Sequence, residues 1–217
     1  MLRIASHTSI AAQWLPGIFH EFQSKYPKVE FELREVVTNE ETRDLLRRGV
    51  VDCGFTDAES NDKELHQVFL YRDRFVAILP PDHELAGAPF FPLDALDAYP
   101  YIKLDETPGV SNEFTLLMDK LFASQHKSPR VKFRVRDEYT VMAMVANHQG
   151  ISVLPEMMTW DRAQNQLIHL PLEEPFYRNL NLVVSNRHKN LLLMPAFIET
   201  VQNWVHNKYH PAHSCEN

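Results

Sequence analysis

The stretch Leu2–Phe55, LRIASHTSIAAQWLPGIFHEFQSKYPKVEFELREVVTNEETRDLLRRGVVDCGF, decides the fold class. Leu2–Ala5 is short and apolar enough for a buried strand. The Ser6-His7-Thr8-Ser9 cluster behind it offers caps to a helix whose Ala12, Leu15, Ile18, Phe19 and Phe22 recur at helical spacing. Tyr26-Pro27 ends that helix. Val29, Phe31 and Leu33 alternate with Glu30, Glu32 and Arg34, the period of a strand with one wetter face. Thr38 or Asn39 caps a second helix, with Glu40 and Glu41 in its first turn, Arg47 and Arg48 in its last, and Gly49 as a left-handed stop. Val50–Phe55 makes a third strand. Strands alternating with single helices over short connections imply a mainly parallel sheet covered on both faces, whose ligands lie outside the carboxyl ends of the strands.

Working outward, Tyr101–Leu154 repeats this layout with a different sequence: strand Tyr101–Leu104, helix Val110–Ser124, strand Val131–Val135, helix Thr140–Asn147 and strand Ile151–Leu154. Between the two passages, Val68–Tyr71 and Phe75–Leu79 read as two strands separated by Arg72-Asp73-Arg74, with no room for a crossover helix. Pro80-Pro81 and the segment Ala88–Leu93 follow. After Leu167–Leu172, Leu180–Ser185 reads as a strand returning to the first passage, and Pro195 opens a long amphipathic helix with Phe197, Ile198, Val201, Trp204 and Val205. The expectation is an α/β chain of two Rossmann-like lobes, 1–75 with 180–217 as lobe I and 76–179 as lobe II, joined by two crossings that form a hinge.

At 217 residues and 44% hydrophobic content the chain can bury a substantial core. No apolar run approaches the roughly 18–20 residues of a spanning helix, and Met1-Leu2-Arg3-Ile4 lacks the pattern of a signal peptide, so a cytoplasmic protein or a fragment of one is expected, with no membrane partner. A formal charge of −7 argues against this chain itself gripping nucleic acid, which needs clustered Lys and Arg. Cys53 and Cys215 fit neither a disulfide framework nor a zinc site, and Cys53, inside an apolar strand pattern, reads as a buried thiol. A nucleophile elbow, a P-loop, a Gly-rich dinucleotide turn and an H-E-x-x-H motif are all missing, so no catalytic residue, no cofactor and no metal is assigned. The rivals to a ligand sensor are a dehydratase- or transferase-like enzyme of similar two-lobe architecture, using His7, Glu138 or Asp105 as acid or base, and a solute-binding protein, which the missing signal peptide disfavours.

The order of several motifs resembles one family. Leu2-Arg3-Ile4-Ala5 with Leu15-Pro16, the run Phe22 to Tyr26-Pro27-Lys28-Val29, and Leu45-Leu46, Gly49, Asp52-Cys53-Gly54-Phe55 look like the opening of the effector-binding domain of LysR-type transcriptional regulators. Leu79-Pro80-Pro81-Asp82-His83-Glu84-Leu85-Ala86 is similar to the family's strand and "HPLA" turn, with Glu84 in place of its proline. Leu93, Leu96 and Tyr99-Pro100-Tyr101-Ile102 follow its next segment. Val145-Ala146 and Gly150-Ile151-Ser152-Val153-Leu154-Pro155 resemble its helix, glycine turn and strand, and Asn147-His148-Gln149-Gly150 keeps only the second glycine of the usual pair. The resemblance runs from Leu2 to Val205. It implies a type 2 periplasmic-binding-protein-like fold with a small-molecule effector in the interlobe cleft, homodimers that become tetramers in the full-length protein, and DNA contact only through an N-terminal winged helix-turn-helix missing here.

Ser6, His7, Thr8 and Ser9 at the first strand-to-helix turn, and Thr38 and Asn39 at the second, are the candidate effector contacts of lobe I. In the resembled family such positions touch the effector; plain helix capping explains the same residue types. Lys103, the loop Thr107–Asn112 with Ser111, and Glu138-Tyr139-Thr140 are the candidates of lobe II. Helix N-termini favour an anion, so an organic acid is preferred, while Glu138 keeps an amino-acid-like ligand open. His206, His210, His213 and Cys215 have metal-like spacing, but Pro211 interrupts the helix and a frayed terminus is the simpler reading. Arg43, Arg47 and Arg48 face Glu40, Glu41 and Asp44 on one helix and read as a solvated face rather than a basic patch.

Overall fold

The computed structural model of the chain describes residues 1–105, 113–159, 166–186 and 193–210. Two compact units emerge, Met1–Arg72 with Asn179–Asn217, and Asp73–Arg178.

In the first unit β1 (Leu2–Ser6) lies between β2 (Phe31–Glu35) and β3 (Cys53–Thr56), all parallel, with Ile4 opposite both Leu33 and Cys53. The wetter strand is β2, where even Leu33 is exposed while Phe31 stacks on Phe19 at 4.0 Å. The one helix expected after β1 is two, α1 (Thr8–Gln13) and α2 (Leu15–Lys25), with Trp14 capping the end of one and the start of the other. Pro16 causes the break: it has no N–H to give the preceding turn. Trp14 is fully buried, lies 6.2–6.4 Å from the rings of Phe55, Tyr71 and Tyr209, and donates its indole N–H to the Tyr209 hydroxyl at 3.0 Å. Tyr209 belongs to α6 (Met194–Tyr209), which opens with proline in its first turn and buries Phe197, Val201 and Val205. Phe197 meets the edge of Phe22 on α2 at 5.3 Å.

The next helix, α3 (Asn39–Arg47), ends at Gly49 in the left-handed region, φ +66°. Its arginines are paired: Arg43 with Glu40 at 2.9 Å, and Arg47 with Glu40, Asp44 and Asp62 at 2.7–2.9 Å. Arg3 holds Asp52 at 2.6 Å and so locks β1 to the start of β3, a pair the periodicity does not announce. Cys53 is buried, and burial pushes its thiol up, away from reactivity.

The two strands expected around Arg72-Asp73-Arg74 are one, β4 (Leu65–Leu79), which starts in the first unit and ends in the second. In sequence the charged triplet separates two strands, yet Asp73 is 1% exposed. Its carboxylate accepts from Arg178 Nε at 2.9 Å and from the Met157 amide at 3.2 Å, so the charge is consumed inside the unit and the strand continues. Arg178 lies on β9 (Tyr177–Ser185), which runs from the second unit back to the first and pairs antiparallel with β3, Thr56 opposite Asn181.

In the second unit β4 pairs antiparallel with β7 (Ser152–Pro155) and β8 (Ile168–Pro171). β5 (Tyr101–Leu104) and β6 (Val131–Val135) are parallel, and Ile102 and Ile151 bridge β5 to the approach of β7. Between them lie α4 (Glu113–Ser124) and α5 (Glu138–Ala146). Phe75, Ile78, Phe91, Ile102, Met118, Val145 and Leu154 belong to one continuous core. After α5, where one glycine of the family's pair is replaced, His148 takes the left-handed conformation at φ +58° and its ring meets Asp82 at 3.3 Å.

The buried pair yields a test. Arg178→Met should lower the unfolding free energy by about 3–5 kcal/mol in denaturant titration, because it strands the Asp73 charge. Adding Asp73→Leu to Arg178→Met should recover most of that loss; a double variant as weak as the single one would contradict the assignment.

Candidate functional site

In the first unit the candidate residues gather where β1 and β3 end. The parallel register sets Ala5 opposite Gly54, so Ser6-His7 and Thr56-Asp57 leave the sheet at the same edge. Ser6 and Ser9 are buried, and the Ser6 hydroxyl donates to the His7 carbonyl at 3.1 Å. Thr8 is exposed.

Asn39, the first residue of α3, is fully buried and organises this edge. Its Oδ1 accepts from the Asp57 backbone N–H at 3.0 Å, and its Nδ2 donates to Asp57 Oδ1 at 2.7 Å. A backbone amide only donates and an ionised carboxylate only accepts, so the orientation of the Asn39 amide is determined. His7 Nε2 lies 3.1 Å from the same Oδ1 and must therefore carry the proton in that bond. Asp57 thus joins the group through bonds to a residue 18 positions away, and no local pattern in the sequence singles it out.

Thr38 behaves as a helix cap. Its Oγ1 accepts from the Glu41 amide at 3.1 Å, and the Glu41 carboxylate reaches back to the Val37 amide at 3.2 Å. With Glu40 also in the first turn, the positive end of α3 is answered by the chain's own carboxylates.

The second unit contributes Lys103, Glu138 and Thr140; Ser111 and the loop Thr107–Asn112 lie outside the described residues. Lys103, on β5, is 3.3 Å from Asp119. The cap of α5 is Asp137, one turn earlier than the expected start at Thr140: its Oδ2 accepts from the Thr140 amide at 2.8 Å and from the Thr140 hydroxyl at 2.6 Å. A carboxylate suits the positive end of a helix, and the exposed Thr140 hydroxyl is engaged as a donor to it. Burial pushes the Glu138 carboxyl up; Asp137 pushes the same way, while the Glu138 amide and Arg178 oppose it. Asp105, a candidate acid or base of the enzyme reading, is held by Arg134 at 2.9 Å.

On the tail helix His206 and His210 place their rings 5.3 Å apart, whereas His213 and Cys215 lie outside the described residues. Among the described residues no three acidic, histidine or cysteine side chains cluster as metal ligands, and no helix is long and apolar enough to cross a membrane.

A family description, LysR substrate binding domain, matches residues 1–205. The chain belongs to this family. Its curated relatives are transcriptional regulators rather than enzymes. The uncharacterized HTH-type transcriptional regulator YvbU of Bacillus subtilis is 27% identical over 199 residues, which cover 91% of this chain and 65% of that protein. The Hca operon transcriptional activator HcaR of Escherichia coli is 24% identical over 157 residues, 72% of this chain and 52% of that protein. The LysR substrate-binding domain described here thus spans less than two thirds of the length of these two relatives. Among solved structures, the LysR family regulator HinK from Pseudomonas aeruginosa aligns with a TM-score of 0.82 at 22% identity, covering 94% of this chain and 70% of that one. The BenM effector binding domain with its effector benzoate aligns with a TM-score of 0.78 at 20% identity, covering 96% and 91%. The LysR substrate-binding domain therefore has the two-unit α/β fold of the type 2 periplasmic-binding class.

Two measurements check this site. Asn39→Ala should destabilise the protein by about 1–3 kcal/mol in denaturant unfolding, since it leaves the Asp57 amide and the His7 donor without their acceptor. For Glu138 the native state binds its proton more tightly than the unfolded chain, so stability falls as pH rises from the ordinary carboxylate range through the raised native value. Thermal melts from acid to neutral pH should show Glu138→Gln flattening that fall and melting higher at neutrality.

Proposed function

We propose that this chain is the effector-sensing domain of a LysR-type transcriptional regulator in the cytoplasm, binding a small metabolite and controlling DNA-dependent transcription through an N-terminal winged helix. The observation that supports it most is the coincidence of the family match over residues 1–205 with polar groups gathered at the carboxyl ends of β1 and β3, where ligands of open α/β sheets bind. Thr8 and His7 are the effector contacts of the first unit, and Lys103 and Glu138 are the candidates within the second. Ser6, Ser9, Thr38 and Thr140 shape these edges. The domain works as a homodimer, within a tetramer of the full-length regulator.

The effector acts by differential affinity. It favours one state of the dimer over another and so biases how the DNA-binding segments are presented. Each tenfold preference corresponds to about 1.4 kcal/mol, and a shift of this kind needs a ligand that meets polar groups differently in the two states.

A thermal-shift screen of organic acids, amines and amino acids, followed by calorimetry, tests the reading. Thr8→Ala should weaken the best hit about 5–10-fold without changing the melting temperature of the free protein, because the exposed Thr8 hydroxyl loses one hydrogen bond to ligand. Unchanged affinity would remove Thr8 from the site, and turnover of the ligand would argue for the enzyme reading instead.

A further inference from the structure

We infer that the last turn of α6 binds a divalent transition-metal ion of the zinc, nickel or copper class through the imidazoles of His206 and His210, apart from the effector site. Residues four apart share one face of a helix, so the two rings project side by side. Their centroids lie 5.3 Å apart with the ring planes tilted by 40°. With Zn–N bonds of about 2.0–2.1 Å, two imidazoles on one tetrahedral ion place their ring centres roughly 5.2 Å apart. The pair therefore has the span of a chelate before any ion arrives. Neither imidazole has a hydrogen bond or ion pair among the described residues, so each neutral ring keeps a lone pair for a metal.

Two histidines on a frayed terminus would not hold this geometry, but here the turn is anchored. Tyr209, between Lys208 and His210, stacks on Tyr71 at 3.8 Å and accepts from the Trp14 indole N–H at 3.0 Å. The His210 N–H donates to the His206 carbonyl at 2.8 Å, so the helical spacing holds up to the second ligand. Lys208, the lysine of this turn, donates to the Gln13 carbonyl at 3.3 Å and lies 4.8 Å from the Trp204 ring, which engages its charge elsewhere. The negative end of this 16-residue helix adds to the attraction for a cation within its last turn. Both imidazoles line a cavity of about 500 Å³ together with Phe69, Leu70, Gln202 and Asn203, which leaves room for the water that completes the ion's coordination. Imidazole nitrogens select zinc, nickel and copper over Mg²⁺ and Ca²⁺, which take oxygen ligands.

The experiment titrates zinc chloride into the labelled chain in a non-chelating buffer, with affinity read by calorimetry and the imidazole nitrogens followed by NMR. Zinc should shift the ring resonances of His206 and His210, Ni²⁺ and Cu²⁺ should compete with it, and Mg²⁺ should not. His206→Ala and His210→Ala should each cost at least about tenfold in affinity, because the second imidazole closes on an ion already held by the first. His20→Ala, an exposed histidine on α2, should leave the affinity unchanged. His206 and His210 are themselves exposed, so neither substitution should move the melting temperature of the metal-free chain. The double variant His213→Ala/Cys215→Ser separates the helix from the tail that follows it. Zinc that leaves the His206 and His210 rings unshifted, or an affinity that survives both single substitutions, overturns the inference. Binding lost in the tail variant yet kept in His206→Ala overturns it as well, while loss in both keeps the pair as ligands with tail donors beside them.

Discussion

Asp73 and Arg178 stand 105 residues apart in sequence and meet at 2.9 Å with side chains 2% and 1% exposed. Arginine stays protonated in any protein environment, so the carboxylate beside it faces a charge that cannot be removed. Burial pushes the Asp73 carboxyl up, while Arg178 and the Met157 amide pull it down. Desolvating two ions costs several kcal/mol each, and their attraction roughly offsets it, so the pair adds little net stability over an apolar replacement. Its consequence is positional. β4 and β9 are the strands that carry the chain between the units, and a slip of either by one residue would turn its half of the pair to the opposite face.

The same logic, a polar group buried only where its partner's position is determined, governs the edge where β1 and β3 end. Asn39 is buried because all of its bonds are made within the first unit, and in making them it orients both His7 and Asp57. The chain also supplies carboxylates to its own helix starts, which spends the attraction those ends would otherwise offer an anion.

The alternation of strand and helix was legible wherever the apolar period was clean: β1, β3, α3, β5, β6 and α6 fall where spacing puts them. Trp14 was harder to place, because the apolar spacing runs on through it while Pro16 ends the hydrogen-bond ladder. Arg72-Asp73-Arg74 looked like a break between two strands because charge in a short segment usually marks solvent; here Arg178 absorbs the Asp73 charge from a distant strand. Thr140 looked like the start of α5, yet the helix is capped by Asp137 three residues earlier. Both residue types open helices, and only the tertiary structure shows which oxygen faces the free amides.

The sequence by itself determined the β-α-β layout, the family and the two polar turns, since hydrophobic period, caps and motif order are local properties of the chain. Which hydroxyls serve the backbone and which stay exposed was decided only by the tertiary structure. Thr38 and Thr8 have the same chemistry in sequence, yet one caps α3 and the other is exposed. Asp57 carries no signal until the sheet brings it to Asn39, 18 residues away, and Asn39 to His7, 32 residues away. The orientation of a side-chain amide depends on partners that local pattern cannot see.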